Sequence, residues 1–272
     1  MSDFEFTVEG PVATFLLNRP HARNAFSADI SQGLLNALER IESDQSVRVL
    51  IITGSGGVFC SGGDIKAMSS STGVITPDER RTRMKRSHRI INLLASLDRP
   101  IIAAVDGPAF GAGFSLALWA DMVIATPSAR FCMAFARVGL IPDYGAMYTL
   151  PRIVGLSRAK EIMLSAREID AEEAKTLGIV LEITTAKNLL LRAQSIAQSL
   201  TTASPLAISL TKSGLNSSFG SDLTTMLEIE ATGQGMAGTS EYAKESFKRF
   251  TEREPLRFTW PKLEATDTRN YK

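Results

Sequence analysis

The hydrophobic positions of this chain follow two periodicities, one typical of strands and one typical of helices. Apolar residues alternate or run together over 4–8 and 12–17, on either side of a Gly-Pro pair, which predicts a β-hairpin. From residue 45 to 185, short apolar runs alternate with segments of helical spacing, as in βαβ units. Beyond Pro205 the spacing is almost entirely helical. The pattern therefore predicts an α/β core followed by a helical C-terminal extension.

The bounds of each predicted element follow from where its apolar pattern begins and ends. The predicted core strands cover residues 47–53, 100–105, 122–125 and 179–183. The predicted helices cover residues 27–41, 77–97, 114–120, 156–164, 171–177, 187–200, 205–218, 221–236 and 239–252. Ser27 is expected to cap the first helix, because a serine hydroxyl accepts hydrogen bonds from the first N–H groups of a helix. The small polar residues at 69–73 predict a loop.

Two glycine-rich turns carry the strongest chemical signal. One covers residues 54–57 and leads into Phe-Cys-Ser-Gly-Gly-Asp at 59–64, and the other, 111–113, precedes a predicted helix. Glycine lets backbone N–H groups approach a ligand closely, and the start of a helix adds partial positive charge. One N–H group from each turn, converging on a carbonyl oxygen, would form an oxyanion hole. Either turn alone would also be compatible with an ordinary strand–helix connection.

Composition limits the class of protein. The chain has 272 residues, of which 44% are hydrophobic and 22% are charged, and its formal net charge is +1. These values are typical of a globular protein with one large domain and an appendage. A nearly neutral chain is not expected to bind nucleic acid or an anionic membrane, and no segment approaches the roughly 18 apolar residues of a membrane span.

Cysteine and histidine are scarce. Cys60 and Cys132 lie in apolar segments and are too few for a disulfide framework, which favours a cytoplasmic protein with reduced thiols. The acidic start of the chain predicts no signal peptide. The two histidines, His21 and His88, belong to no Cys/His cluster, so we expect no metal site.

The two glycine turns belong to longer motifs. Residues 59–64 have the form Phe-x-x-Gly-small-Asp, and residues 107–113 have the form Gly-x-Ala-x-Gly-small-Gly. Both resemble the paired signatures of the crotonase (enoyl-CoA hydratase/isomerase) superfamily. Further segments resemble the family in the same order, at residues 17–20 with 24–25, 138–142, 170–180 and 250–255, the last one residue short of its usual spacing.

The resemblance implies a fold, an assembly and a ligand. Residues 1–200 would form the crotonase ββα spiral core with the acyl-CoA site, and residues 201–272 would form a helical region for oligomerisation. Members of the superfamily usually assemble as trimers or dimers of trimers, so a homotrimer or a dimer of trimers is expected. The expected ligand is an acyl-CoA thioester, and because coenzyme A is part of that substrate, no separate cofactor is expected.

The resemblance also implies the residues of the site. It assigns the two oxyanion donors to the backbone N–H groups of Gly63 and Ala112. The other implied substrate-binding residues are Ala22, Arg23, Gly62, Asp64, Ile65, Phe110, Gly111, Phe135 and Tyr144. Asp64 has a second interpretation, as the cap of a helix that starts near Ile65. A basic run on the 77–97 helix would be a solvated face or a contact for a coenzyme A phosphate: Arg81, Arg83, Lys85, Arg86 and Arg89.

The chain departs from the hydratase pattern at two positions. Hydratases of this superfamily use two glutamates, one just after the second glycine turn and one about twenty residues later. Those positions correspond to Ser115 and Phe135, and neither side chain can accept a proton at neutral pH. Hydration by the two-glutamate mechanism is therefore not expected.

Asp143 is the remaining candidate base. It follows Ile141-Pro142, and isomerase-type relatives, including oxepin-forming isomerases of phenylacetate breakdown, resemble this pattern and carry their acid/base aspartate there. A single carboxylate that removes a proton and returns it to another carbon performs double-bond isomerisation. The alternative is that Asp143 caps a helix over 144–150, which would lower its pKa. Nearby apolar and aromatic residues would instead raise that pKa by desolvation: Phe110, Phe114, Phe131, Met133, Phe135 and Tyr144.

Enoyl-CoA isomerisation with Asp143 as base is the function favoured by these motifs. Hydration of an enoyl-CoA through Asp143 and a bound water is the first alternative. A catalytically weak acyl-CoA-binding or RNA-associating relative is the second, although the net charge of +1 disfavours RNA. A position of Asp143 in a dry cavity near Gly63 and Ala112 would favour the isomerase over the inactive relative.

Overall fold

The structure, a computed structural model, describes residues 2–66 and 76–262 of the chain. Its strands are β1 (Phe4–Glu9), β2 (Val12–Leu17), β3 (Val49–Gly54), β4 (Ile101–Val105), β5 (Pro108–Phe110), β6 (Met122–Ala125), β7 (Arg130–Cys132), β8 (Glu168–Asp170) and β9 (Glu182–Ile183). Six of them form a sheet in the order β1-β2-β3-β4-β6-β9, with β1 antiparallel to β2 and the other neighbours parallel. The predicted loop at 69–73 lies outside the described residues.

The helices surround this sheet and continue beyond it. They are α1 (Ala28–Ser43), α2 (Pro77–Ser96), α3 (Ala112–Ala117), α4 (Ala146–Val154), α5 (Leu156–Ser165), α6 (Ala171–Thr176), α7 (Leu189–Thr201), α8 (Pro205–Ser217), α9 (Leu223–Gly238) and α10 (Glu241–Thr251). As predicted, the Ser27 hydroxyl caps α1, accepting a hydrogen bond from the N–H of Ile30 at 3.1 Å.

The sheet buries apolar side chains on both faces, as its continuous apolar strands predict. Side chains alternate along each strand, so Leu50 and Ile52 join the core under α1 and α2, whereas Val49 and Ile51 join the core under α7. Helices on both faces of a largely parallel sheet define an α/β architecture. Because β3 and β4 are parallel neighbours, the segments that follow them leave the sheet at the same edge.

A second, smaller sheet was not predicted from the sequence. It has the order β5-β7-β8, and each strand has only three residues, too few to show a periodicity. The predicted strand 179–183 is also shorter than expected and is reduced to Glu182–Ile183. Its first residues instead close the end of α6, where the N–H groups of Ile179 and Val180 both donate to the carbonyl oxygen of Ala174.

The C-terminal helices differ from the core in burial. Neither α9 nor α10 contains a buried residue, and several of their large apolar side chains are exposed, among them Leu223, Leu227, Met236, Phe247 and Phe250. The division of the chain near residue 200 and the oligomerisation role of the region beyond it stay predictions. Within the described ranges, none of the helices has the length and apolar character needed to cross a membrane.

Candidate active site

The two glycine turns are joined to each other by backbone contacts. The N–H of Cys60 donates to the carbonyl oxygen of Pro108 at 3.0 Å, and the N–H of Phe110 donates to that of Cys60 at 2.8 Å. A Cβ on Gly113 would collide with the carbonyl oxygen of Cys60, so the close approach requires glycine there. The pairing fixes the two turns relative to each other with main-chain atoms alone.

The predicted oxyanion donors lie next to this junction. Gly62 has φ +96°, and a Cβ placed on it would lie 2.8 Å from the carbonyl oxygen of Phe110 and 3.4 Å from the nitrogen of Ala112. Ala112 is the first residue of α3, so its N–H has no acceptor within its own helix. Gly63 and Ala112 both line a cavity of about 960 Å³. The arrangement is compatible with two N–H groups directed at one bound oxygen.

Side chains from the N-terminal loop support the first turn. Asn24 is fully buried, and its amide donates to the carbonyl oxygens of Ser55 at 2.9 Å and Val58 at 2.6 Å. Arg19 forms an ion pair with Asp64 at 2.6 Å, a contact that the sequence did not reveal. These contacts connect residues far apart in the sequence on either side of Gly63. The expected helix-capping role of Asp64 stays a prediction, because the helix after it is described only at 65–66.

Asp143 lines the same cavity as the two donors. Its Oδ1 is buried and has no hydrogen-bond partner among the described residues. Burial raises the pKa of the Asp143 carboxyl from 3.8 to about 6. The helix-cap alternative is wrong, since α4 begins at Ala146 with Gly145 at its N-cap and no side-chain cap. A carboxylate with a pKa near neutrality and a lone pair directed at no protein donor has the properties of a general base.

Tyr144 is the residue that directly follows Asp143. It is 6% exposed, lines the cavity, and its ring lies 5.0 Å from that of Phe26, centroid to centroid. The indole N–H of Trp119 donates to the carbonyl oxygen of Tyr144 at 2.7 Å. Sequence reasoning missed this hydrogen bond, because 25 residues separate the two positions and no local pattern connects them.

The two positions of the hydratase glutamates are closed off. Ser115 is fully buried, and its hydroxyl donates to the carbonyl oxygen of Gly111 at 3.1 Å. Phe135 is 7% exposed and packs beside Gly111, where a Cβ would lie 3.7 Å from the ring. Neither residue lines the cavity. As expected from the sequence, neither position carries a carboxylate. In the structure, the Ser115 hydroxyl is already hydrogen-bonded to the backbone, and Phe135 is an apolar, buried side chain.

The predicted site residues separate into two groups. Those that line the cavity are Gly63, Asp64, Ala112, Asp143 and Tyr144. Gly62, Phe110 and Gly111 do not line it but lie in the backbone junction behind it. Ala22, Arg23 and Ile65 lie outside the cavity lining; Arg23 and Ile65 are exposed, and the carbonyl oxygen of Arg23 accepts a hydrogen bond from the N–H of Ser61.

Much of the cavity is lined by two helices, and the sequence pointed to only one of them, through the basic run of the 77–97 helix. Helix α1 contributes Ala28, Ser31, Gln32 and Leu35, and α2 contributes Arg80, Met84, Arg86, Ser87, His88, Arg89 and Ile90. Arg86 and Arg89 belong to the predicted basic run, and both are exposed. The side chain of Arg83 lies outside the described part of the molecule. The only available signal for these residues was the basic run itself.

The structure describes no alternative centre for metal or thiol chemistry. Within residues 2–66 and 76–262, no group of three His, Cys, Asp or Glu side chains could hold a metal ion. Burial raises the pKa of the Cys60 thiol to about 12, so it is protonated and unreactive at neutral pH.

Comparisons with known proteins agree with the geometry. Residues 7–261 match the family described as Enoyl-CoA hydratase/isomerase. The chain is 35% identical to 1,2-epoxyphenylacetyl-CoA isomerase of Escherichia coli K12, over 93% of this chain and 96% of the relative. It is 34% identical to a probable enoyl-CoA hydratase of Rhodobacter capsulatus, over 93% and 96%. The crystal structure of an enoyl-CoA hydratase/isomerase from Cupriavidus metallidurans CH34 matches with a TM-score of 0.91 and 42% identity, covering 97% and 99% of the two chains.

The fold and the paired glycine turns define an α/β protein of the crotonase class, so the predicted fold class is confirmed. The chain belongs to the enoyl-CoA hydratase/isomerase family. Its relatives carry names of both activities, isomerase and hydratase, and the choice between the two depends on the chemistry of the site.

Proposed function

We propose that this protein is an enoyl-CoA isomerase in which Asp143 is the single acid/base and the N–H groups of Gly63 and Ala112 bind the thioester oxygen. The observation that supports it most is the Asp143 carboxyl. Its Oδ1 is buried without a partner among the described residues, its pKa is raised to about 6, and it lines the same cavity as both donors.

The proposed reaction requires one carboxylate and no water. Asp143 removes a proton from C2 of a 3-enoyl thioester, and the electron pair moves into the thioester carbonyl to form a dienolate. The two backbone N–H groups stabilise the developing negative charge on oxygen, each typically worth about 3 kcal/mol. Asp143 then returns the proton to C4, which gives the 2-enoyl product and regenerates the carboxylate.

Hydration is the alternative, supported by the hydratase names of several relatives. It would need Asp143 to activate a water molecule while a second group protonates the substrate carbon. Ser115 and Phe135 supply no such group, and binding a substrate well does not replace a missing proton transfer. The name of the E. coli relative describes an isomerisation of a CoA thioester, which supports the first assignment.

The two activities are separable on one preparation of the protein. Isomerisation of a 3-enoyl-CoA and hydration of crotonyl-CoA are followed side by side, at equal protein and substrate concentrations. We expect isomerisation to be clearly faster. Hydration faster than isomerisation would reject the assignment and establish the hydratase in its place.

The remaining parts of the proposal concern assembly and location. The exposed apolar residues of α9 and α10 support an oligomer, a homotrimer or a dimer of trimers, which sedimentation velocity would test. The ligand is an acyl-CoA thioester, as in the family, with no separate cofactor. Cytoplasmic location, which the two buried, unpaired cysteines favour, stays a prediction.

A further inference from the structure

Tyr144 has an unusual backbone for a bulky residue. Its φ is +50°, in the left-handed region that side chains with a Cβ rarely adopt, and the next residue, Gly145, also has a positive φ of +76°. Such a conformation persists only where surrounding contacts enforce it, and it is often found at functional sites. The residue immediately before it is Asp143.

The conformation has a geometric consequence for the cavity. In an extended strand, consecutive side chains point in opposite directions. Asp143 and Tyr144 nevertheless both line the same cavity, together with Gly63 and Ala112. The left-handed turn at Tyr144 therefore allows the carboxyl and the aromatic ring to face one space.

Two contacts from separate parts of the fold hold Tyr144 in this conformation. The ring packs on Phe26, which precedes α1, with 5.0 Å between the centroids. The carbonyl oxygen accepts the indole N–H of Trp119 at 2.7 Å. Burial raises the pKa of the Tyr144 hydroxyl, and the side chains of Ser87 on α2 and Ser31 on α1, which also line the cavity, act against that rise.

Trp119 restricts the loop from its other side as well. A Cβ on residue 145 would lie 2.7 Å from the Trp119 ring, so only glycine fits there while the indole donates to Tyr144. The indole in turn stacks on Tyr148 of α4, with the ring planes 8° apart. Residues 144–145 are thus clamped between Phe26 and Trp119.

We propose that Tyr144 is a positioning residue, which locks the left-handed turn after Asp143 and so holds the carboxyl with its Oδ1 buried, in the cavity beside Gly63 and Ala112. The inference rests on the proposed role of Asp143 as the base. If the clamp is removed, residue 144 relaxes towards ordinary backbone angles, and Asp143 gains access to solvent. The charged and titratable groups lining the cavity besides Asp143 are Asp64, Arg80, Arg86, His88, Arg89 and Tyr144 itself.

The principal test compares Tyr144→Gly with Tyr144→Phe. Glycine tolerates the positive φ but removes every side-chain contact, whereas phenylalanine keeps the ring that packs on Phe26. We expect Tyr144→Gly to lower kcat about 10–100-fold with KM within about threefold, as misplacement of a reacting group does. Tyr144→Phe should retain most of kcat. Equal losses in both variants would assign the hydroxyl to the chemistry and overturn the positioning role.

A second measurement does not depend on turnover. The Asp143 carboxyl is titrated by carbon NMR, identified by the signal that disappears in Asp143→Asn. We expect a pKa of about 6 in the native protein and a value close to 3.8 in Tyr144→Gly. Ile196→Ala, in the core under α7, is the control for lost folding stability and should change neither kcat nor this pKa. If Tyr144→Gly behaves as Ile196→Ala does, the inference is wrong.

Two further results keep this test separate from that of the proposed function. If Tyr144→Gly does not fold, Trp119→Phe removes the hydrogen bond to the Tyr144 carbonyl together with part of the ring that packs against Gly145 and Tyr148, and we expect a smaller change of kcat and pKa in the same direction. No change in either quantity would overturn the inference. Full turnover in Asp143→Asn would reject the base, and with it the proposed function, whatever the NMR titration shows.

Discussion

The cavity has two functional walls that are held in place by different kinds of contact. The donor wall, residues 60–63 and 109–113, is fixed by main-chain hydrogen bonds and by glycines that leave no room for a side chain. The carboxyl wall, residues 143–145, is fixed by side chains: the Trp119 indole, the Phe26 ring and the buried ring of Tyr144 itself. One wall presents backbone N–H groups, and the other presents a single titratable group.

The difference follows from what each wall must do. An oxyanion donor needs only an N–H group that points at the oxygen. A rigid backbone junction fixes that direction whichever side chains are present. A base must also have a suitable pKa, which depends on how much solvent reaches its carboxyl. Side chains can exclude water where a backbone turn cannot. We therefore expect substitutions in the donor wall to disturb geometry, and substitutions in the carboxyl wall to disturb proton transfer.

The largest expected effect is that of Asp143→Asn. The amide has the size of the carboxyl but cannot accept the proton, so turnover should fall at least 100-fold, the lower end of what a general base contributes. Coenzyme A binding should be nearly unchanged, because the donor wall is intact. Steady-state isomerisation kinetics measure the expected loss of turnover, and calorimetry with a coenzyme A thioester measures the expected retention of binding. Near-full turnover in a folded variant would remove Asp143 from the mechanism.

The next effect tests the donor wall. In Gly62→Ala the new Cβ would lie 2.8 Å from the carbonyl oxygen of Phe110, which pushes the two turns apart. Loss of one aligned oxyanion donor typically costs about 100-fold in kcat. Gly10→Ala is the matched control: Gly10 also has a positive φ, of +58°, but nothing lies within 4 Å of its Cβ position. The control should retain full activity, and equal losses in both variants would contradict a role specific to the donor wall.

The two walls also differ in how far the sequence predicts them. The contacts that require Gly62 and Gly113 join residues 48 and 53 positions apart, at Phe110 and Cys60. The glycine motifs themselves are nevertheless short local patterns, and their resemblance to the family is what assigned the donors to Gly63 and Ala112. The strands are also predicted from local patterns, because their continuous apolar runs indicate burial on both faces of the sheet. Strands β5, β7 and β8 were missed because three residues are too few for a periodicity.

The carboxyl wall depends on contacts between residues distant in sequence. The sequence identified Asp143 but left open a helix cap, because an aspartate before a helix is a common pattern. The cap is excluded because α4 begins at Ala146 with Gly145 at its N-cap. The residues that hold the segment before α4, Phe26 and Trp119, are 118 and 25 positions from Tyr144 in the sequence. The cavity lining from α1 was missed for the same reason, since helix packing is not encoded in a local motif, and the basic run was the sequence signal for α2.

The pH dependence of activity should report the pKa of Asp143 in the carboxyl wall. The base is active only when ionised, so kcat/KM of the native protein should fall as the pH drops below about 6, approaching tenfold per unit. His88 also lines the cavity, so His88→Gln is the control and should leave the inflection in place. An inflection near pH 4 in the native protein would show that Asp143 is solvated. An inflection that disappears in His88→Gln would belong to the histidine and not to Asp143.

The smallest expected effect is on stability, and it has the opposite sign to the effect on turnover. A folded-state pKa of about 6 against 3.8 means that the folded protein holds the proton more tightly than the unfolded chain does. The stability that protonated Asp143 contributes is present below pH 3.8 and is lost as the pH rises through 6. The full shift corresponds to about 3 kcal/mol at pH 8, at about 1.4 kcal/mol per unit.

Asp143→Asn removes the buried charge and so should raise the free energy of unfolding at pH 8. The amide also finds no partner in this cavity, and burying it costs about 1–2 kcal/mol, which leaves a net gain of about 1 kcal/mol. The gain should shrink as the pH falls and become a loss of about 1 kcal/mol near pH 4, where the native carboxyl is protonated and the cost of burying the amide remains. Urea unfolding of both proteins at pH 8 and pH 4 measures it. A stability difference that does not change with pH would mean that the carboxyl wall does not keep Asp143 from solvent, and a loss of stability at pH 8 would mean that the ionised carboxyl has a partner.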